Sequence, residues 1–198
     1  MSSLLTVRNI IGFTKPPRGT AVFFQTPMTV RKVDEKVATT TITDTTTETI
    51  LASMTLPAVT LTSQGAAAMT VSGTFLNQST ATESIRLRGK IEIGGSTLTF
   101  AETTGITCST STSLRSWAFT AGLIGSTLST ELRSWSDITM SAPSTSLTPV
   151  STSLYNGYGL VTVPNSSSQS IFTLSGQLST ASTDLTITAN AGTLLQVN

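Results

Sequence analysis

The chain has 198 residues, of which 11% are charged, 38% are hydrophobic and roughly a third are Ser or Thr. Low charge with this apolar content argues against an intrinsically disordered chain, which has high charge and few apolar residues. The absence of His excludes His-based catalytic triads and His metal ligands, and a single Cys excludes intrachain disulfides. No run of ~18 apolar residues predicts a membrane span, and residues 1–11 lack the pattern of a secretory signal.

Charge is distributed unevenly along the chain, although it sums to +1. Residues 1–36 carry six basic and two acidic side chains, whereas the remainder carries five basic and eight acidic ones. A basic arm on an acidic body is typical of a tether that binds an acidic surface. The alternative is a solvated leader without a partner.

Residues 1–36 are predicted to form an extended N-terminal anchoring arm. Pro16-Pro17 disfavours helix, and the adjacent rings of Phe23 and Phe24 would point to opposite sides of an extended segment. Such a segment cannot bury both rings, so we expect them to dock on a neighbouring subunit or another protein and the arm to become ordered there; a small local core is the alternative. The predicted partner-binding residues of the arm are Phe13, Phe23, Phe24, Arg31 and Lys32.

Residues 37–198 are predicted to form the folded body, a series of short strands. The clearest strand is 85–93, where apolar residues alternate with Arg86, Arg88, Lys90 and Glu92, so that one face is buried and the other is in water. In the strand 48–56, the alternation predicts that Ile50, Ala52, Met54 and Leu56 face inward. Residues 101–113 read as a loop. The other predicted strands are 37–49 with a turn at Asp44, 69–75, 97–100, 114–124, 131–140, 154–163, 170–178 and one or two strands over 184–197.

Eight to ten short strands with Gly, Pro, Asn and Ser turns predict an all-β sandwich or barrel. No alternation of strands with helices is visible, which argues against a parallel α/β sheet. No fixed sequence repeat is present, which argues against a solenoid or a propeller.

No catalytic motif emerges from the remaining residues. Cys108 has no base near it in sequence and is expected to be a small, semi-buried residue. The carboxylates are scattered singly, so a glycosidase pair would have to be assembled by the fold. The basic series Arg86, Arg88 and Lys90 is either a stripe for an acidic partner or a solvated face balanced by Glu83 and Glu92. Trp117 is expected in the core, whereas Trp135 is the candidate for an interface or ligand contact, with a place in the core as the alternative.

Several segments resemble the small jelly-roll domains of tailed-bacteriophage virion proteins, which occur in capsid decoration (cement) proteins and in tail or head fibres. They are TDTTTETILASMTLPAVTLTSQGAAAMTVSGTFLNQST at 43–80, SIRLRGKIEIGG at 84–95, Trp117, and SQSIFTLSGQLSTASTDLTITANAGTLLQV at 168–197. The resemblance covers about 41–197 and leaves the arm outside. It implies a single jelly-roll-like antiparallel β-sandwich, commonly trimeric, with a structural or adhesive role, and it carries over no catalytic residue.

These observations predict a non-enzymatic structural protein that decorates a phage capsid through its arm, assembled in the host cytoplasm and located in the virion. Its expected partners are other virion proteins, either the major capsid protein or a tail protein, and two further copies of itself in a homotrimer. No nucleic acid, membrane, cofactor or metal is expected. The alternative is a receptor-binding domain of a tail or head fibre, which would bind a host surface glycan; a glycan-cleaving enzyme is a third class.

Overall fold

Alternating apolar and polar residues organise most of the described chain into β-strands. The computed structural model describes residues 29–58, 65–103, 105–125, 131–140, 157–162 and 169–197. Within these ranges there is no helix, and the prediction of an all-β chain is confirmed. The strands are β1 Val30–Lys36, β2 Thr40–Thr43, β3 Thr49–Leu56, β4 Ala66–Asn77, β5 Glu83–Ile93, β6 Ser96–Glu102, β7 Ile106–Cys108, β8 Arg115–Gly125, β9 Glu131–Met140, β10 Gly157–Thr162, β11 Ser170–Leu178 and β12 Leu185–Val197.

These strands form two antiparallel sheets. The seven-stranded sheet has the order β1-β12-β4-β8-β9-β10. Its remaining strand, β2, pairs with β12 on the same edge as β1 but at the other end of β12. The five-stranded sheet has the order β3-β11-β5-β6. Its remaining strand, β7, pairs with the first residues of β5, on the same edge as β6. The inner faces of both sheets contribute to one hydrophobic core, as expected of the predicted β-sandwich.

The core follows the alternation of the sequence. On β4, Met69, Val71 and Phe75 are buried, and on β8 Trp117 and Phe119 are buried. The strand predicted at 85–93 also has its apolar residues inside. Gly94 and Gly95 join β5 to β6, and both have positive φ (57° and 80°), which favours glycine in such a hairpin.

One predicted inward position is wrong. Ile50 is 57% exposed, and Leu51 is buried in its place. The pairing of β3 with β11 is irregular here, because Ser175 lies opposite Ile50 and Leu174 opposite Ala52, leaving Leu51 as an extra residue. A β-bulge of this kind reverses which residues face inward from that point on, and strict alternation cannot reveal it.

A second difference concerns residues 101–113. This stretch includes β7, whose Ile106 and Cys108 are buried in the core. The strand has only three residues, too short for alternation to distinguish it from a Ser/Thr-rich loop.

The sandwich also begins earlier than the predicted boundary at Val37. β1 pairs with β12 along the edge of the seven-stranded sheet, so residues 30–36 of the predicted arm belong to the sheet. Asp34 of β1 accepts a hydrogen bond from the Thr55 backbone N–H of β3 (2.6 Å) and thereby links the edges of the two sheets. Five of the seven β1 residues are charged, which protects an edge strand against pairing with other chains.

Candidate functional site: the two outer faces of the sandwich

The outer face of the five-stranded sheet carries a connected network of charged side chains. We call this surface the ion-pair face; its network consists of Glu48, Arg86, Arg88, Lys90, Glu102, Ser175 and Gln177. Arg88 lies at the centre and is 15% exposed. Its Nη1 donates to Glu48 Oε2 (2.9 Å) and to Gln177 Oε1 (3.1 Å), and its Nε donates to Glu102 Oε1 (3.0 Å).

The network also fixes the segment that precedes β3. Glu48 accepts hydrogen bonds from the side chains of Lys90 and Ser175. Gln177 Nε2 donates to the carbonyl oxygen of Thr46 (3.0 Å). The ion-pair face therefore ties together β5, β6, β11 and the residues before β3.

The ionisation of Glu48 follows from these contacts. Its partial burial opposes the charged form, but the hydrogen bonds from Lys90 and Ser175 and the positive charges of Lys90 and Arg88 outweigh it, so the pKa of Glu48 is lowered. A general acid in a glycosidase needs a raised pKa. The environment of Glu48 therefore favours its anionic form, as expected of a member of an ion-pair network.

The basic series Arg86, Arg88 and Lys90 belongs to this network. Each of these side chains pairs with a carboxylate within the chain, through Glu48 or Glu102. The balancing acids differ from those expected, because Glu83 instead accepts hydrogen bonds from Ser179 and Thr180, which lower its pKa. The series thus forms a largely neutralised surface.

The outer face of the seven-stranded sheet is different in kind. We call the outward positions of its three central strands, β12, β4 and β8, the neutral face, because none of them is charged. One end of it carries Thr and Ser: Thr186, Thr188, Thr193, Thr70, Ser72, Thr74, Ser116 and Thr120. The hydroxyl groups contact each other across strands, as from Thr70 to Thr120 (3.3 Å).

The other end of this sheet surface carries an apolar zone, which comprises Val30, Ala66, Ala68, Ile124, Trp135, Leu195 and Val197. Their strand registers place them in two adjacent rows across β1, β12, β4, β8 and β9. Ile124 is 45% exposed, and the other members are half-buried.

Trp135 lies within this zone, on the face opposite the core. Its indole ring covers Gly122 of the neighbouring strand, so closely that a Cβ on Gly122 would lie 2.6 Å from Nε1 of Trp135. On the inner face, Trp117 lies against Gly73 together with the Thr188 carbonyl; it is 3% exposed and donates from Nε1 to the Thr74 carbonyl (3.1 Å). The two tryptophans thus point to opposite sides of the sheet, with Trp117 in the core as predicted.

Two polar atoms among the described residues are buried without a hydrogen-bond partner: Nε of Arg115 and Oδ1 of Asp137. Arg115 is 8% exposed, and its guanidinium lies over the ring of Phe75 (5.4 Å to the centroid) at the end of the core. Asp137 lies beside Thr120 on the strand that carries Trp135. Sequence patterns did not reveal the burial of Arg115, because an Arg at the start of a strand is usually in water.

Cys108 is completely buried, deeper than expected. Burial raises the pKa of its thiol to about 12, against a small opposing effect of the Arg115 charge. It is consequently an inert thiol at neutral pH.

The predicted arm residues are placed only in part. Arg31 and Lys32 lie on β1, where Arg31 Nη2 donates to Gln196 Oε1 (3.2 Å) and Lys32 pairs with Glu35. Phe13, Phe23 and Phe24 lie outside the described residues, so their role in partner binding stays a prediction.

Comparison with known proteins identifies no relative: no protein-family model, no curated protein and no solved structure matches this chain. Within the described ranges, no group of three or more His, Cys, Asp or Glu side chains is arranged to hold a metal ion. No helix long and apolar enough to span a membrane occurs in them either.

Proposed function

We propose that this chain is a non-enzymatic structural protein of a tailed-phage virion, which decorates the capsid exterior and is anchored there through its N-terminal segment. The observation that carries the proposal is the neutral face: three adjacent strands whose outward positions hold no charge, bordered by an apolar zone. Depletion of charge is the compositional mark of surfaces that are covered by another protein. The charged network of the ion-pair face, in contrast, pairs its side chains within the chain.

The strand order supports a jelly roll as the fold. Strands from the first part of the chain pair with strands from the second in reverse order: β1 and β2 with β12, β3 with β11, β4 with β8, and β5 with β6 and β7. This nesting is what results when one long antiparallel hairpin is rolled into two sheets, with β9 and β10 as an added extension. Jelly rolls are common in viral capsid proteins and in lectins.

In this proposal the assembled form is a homotrimer within the virion, bound to the major capsid protein or a tail protein. A self-associating surface usually generates closed symmetry, and the number three comes from the resemblance to decoration proteins. Light scattering of the purified chain at micromolar concentration tests it, and a stable monomer would count against the trimer.

Particle binding tests the anchoring role. The purified chain is mixed with virions that lack it and sedimented through sucrose, and we expect it to co-sediment. Phe23→Ser/Phe24→Ser should weaken co-sedimentation more than Arg31→Ala/Lys32→Ala, because Arg31 and Lys32 already have partners within the sandwich. Full occupancy by the Phe23→Ser/Phe24→Ser variant would place the attachment surface on the body instead.

The alternative is a fibre domain that binds a host glycan, and one observation favours it. Trp135 lies on Gly122 at the surface of the sheet, and an aromatic ring in such a position can stack on a sugar. Titration with host surface glycans, followed by tryptophan fluorescence, distinguishes the two functions. Saturable binding that is lost in Trp135→Ala supports the fibre domain; the decoration protein predicts no change.

A further inference from the structure

The apolar zone starts where the described chain starts. Val30, the first residue of β1, stands at the corner of the zone beside Val197. From that corner, one row runs through Ala66 to Ile124, and the next runs from Leu195 through Ala68 and Gly122 to Trp135. The 28 residues that precede Thr29 therefore enter the fold at the edge of an apolar surface.

The sequence immediately before this corner contains matching apolar groups. Phe23 and Phe24 lie six or seven positions before Val30, separated from it by Pro27, whose fixed φ and missing N–H favour a change of chain direction. Four strand spacings separate β1 from β9, about 19 Å at ~4.8 Å each. Six extended residues span about 20 Å, so Phe24 can reach Ile124 and Trp135.

We propose that, in the free protein, the 20–28 segment of the same molecule folds across the neutral face and covers the apolar zone with a ring from Phe23 or Phe24. The tether favours this occupant over a second copy, because attachment at Val30 gives the segment a high effective concentration at the zone. Adjacent residues of an extended segment point to opposite sides, so one of the two rings contacts the zone and the other does not.

The character of the surface predicts how this contact responds to salt. The zone is apolar and the outward positions of β12, β4 and β8 are uncharged, while the basic side chains Lys32 and Arg133 lie at the ends of its rows and segment 1–28 is itself basic. A contact formed by ring burial persists in high salt, while one formed by charge attraction weakens. The inference stands without the proposed virion role; if both hold, the segment leaves the zone when it anchors on a particle.

Quenching of tryptophan fluorescence by acrylamide tests the inference in the full-length chain. Trp117 is buried in the core, so the quenchable emission reports on Trp135. If the segment covers Trp135 for half of the time or more, Phe23→Ser/Phe24→Ser should raise the quenching constant about twofold or more. One single variant should reproduce most of this rise and the other little, and 1 M salt should leave the wild-type constant unchanged.

The body offers a matched pair of variants. Ile124→Ser removes a side chain of the zone and should raise quenching of Trp135, whereas Ile50→Ser changes another exposed isoleucine, on the ion-pair face, and should not. Circular dichroism checks that each variant is folded. Unchanged quenching in Phe23→Ser/Phe24→Ser overturns the inference. Loss of protection on dilution, together with a fall in scattering mass, also overturns it and assigns the zone to a second copy.

Discussion

The two outer faces of the sandwich differ in the side chains that they present and in how these side chains are held. The ion-pair face presents long charged side chains whose partners are all within the chain, with Arg88 as the shared centre. The neutral face presents mostly short Thr, Ser and Ala side chains, and Trp135 of the neighbouring strand β9 packs on its Gly122. The charged network of the ion-pair face finds its partners within the chain, so that surface needs no other protein to pair its charges. Covering the neutral face with another protein costs little desolvation free energy, because its outward positions carry no charge.

The largest expected effect tests which of two adjacent residues at the bulge in β3, Ile50 or Leu51, lies in the core. Leu51→Ala should destabilise the chain by about 3 kcal/mol, because it removes a fully buried side chain. Ile50→Ala should change stability by less than about 0.5 kcal/mol. Urea unfolding measures both. If Ile50→Ala is the costlier of the two, the bulge in β3 is wrong and strict alternation is right.

The centre of the ion-pair network gives the next effect. Arg88→Met should cost about 2 kcal/mol, since it removes the least exposed member of the ion pairs and leaves Glu48 and Glu102 without their shared partner. Arg133→Met, an exposed arginine on β9 at the border of the neutral face, is the control and should cost less than about 0.5 kcal/mol. Equal losses of unfolding free energy in the two variants would show that Arg88 contributes no more to stability than an exposed arginine does.

Packing on the other sheet is tested at Gly122. Gly122→Ala should cost about 1–2 kcal/mol, because the new Cβ collides with the indole of Trp135 and with the carbonyl oxygen of Ala67. The displaced indole should also shift tryptophan emission to longer wavelength. Ala118→Ser on the same strand and face is the control, and it should leave both stability and emission unchanged.

The smallest effect concerns acid. The pKa of Glu48 is lowered in the folded chain, so its contribution to stability is present above the unfolded value of 4.5 and is lost as pH falls through the folded pKa. Urea midpoints measured between pH 7 and pH 3 should therefore fall less steeply below about pH 4.5 in Glu48→Gln than in the wild type. An identical acid dependence in the two proteins would show that Glu48 gains nothing from Lys90, Ser175 and Arg88.

Sequence alone predicted the strands with long, regular alternation. The strand at 85–93 and the inward position of Trp117 follow from side-chain periodicity. Leu51 and β7 were missed because a bulge and a three-residue strand leave no periodic signal.

The candidate surfaces were predictable only in part. The pairing of Arg88 with Glu102 lies within the β5–β6 hairpin and is within reach of local reasoning. Glu48 is 40 positions from Arg88 and approaches it only because β11 lies between β3 and β5, which depends on topology. The outward position of Trp135 was visible in the alternation of β9, whereas its glycine partner on β8 required the register between the two strands.

The pairing of β1 with β12 has a consequence for how the chain is made. Arg31 and Gln196 bond to each other although they are 165 positions apart, and β12 lies between β4 and the two earliest strands. During synthesis, β1, β2 and β4 therefore cannot pair with their common neighbour β12 until residues 185–197 have emerged from the ribosome. Such distant pairing costs loop entropy before it brings any stabilisation, so folding should be slow and should begin elsewhere, with the local hairpins β5–β6 and β8–β9 as the first elements available. The charged residues of β1 should therefore also act before the sandwich has formed, because they disfavour aggregation of this unpaired strand until β12 has been translated.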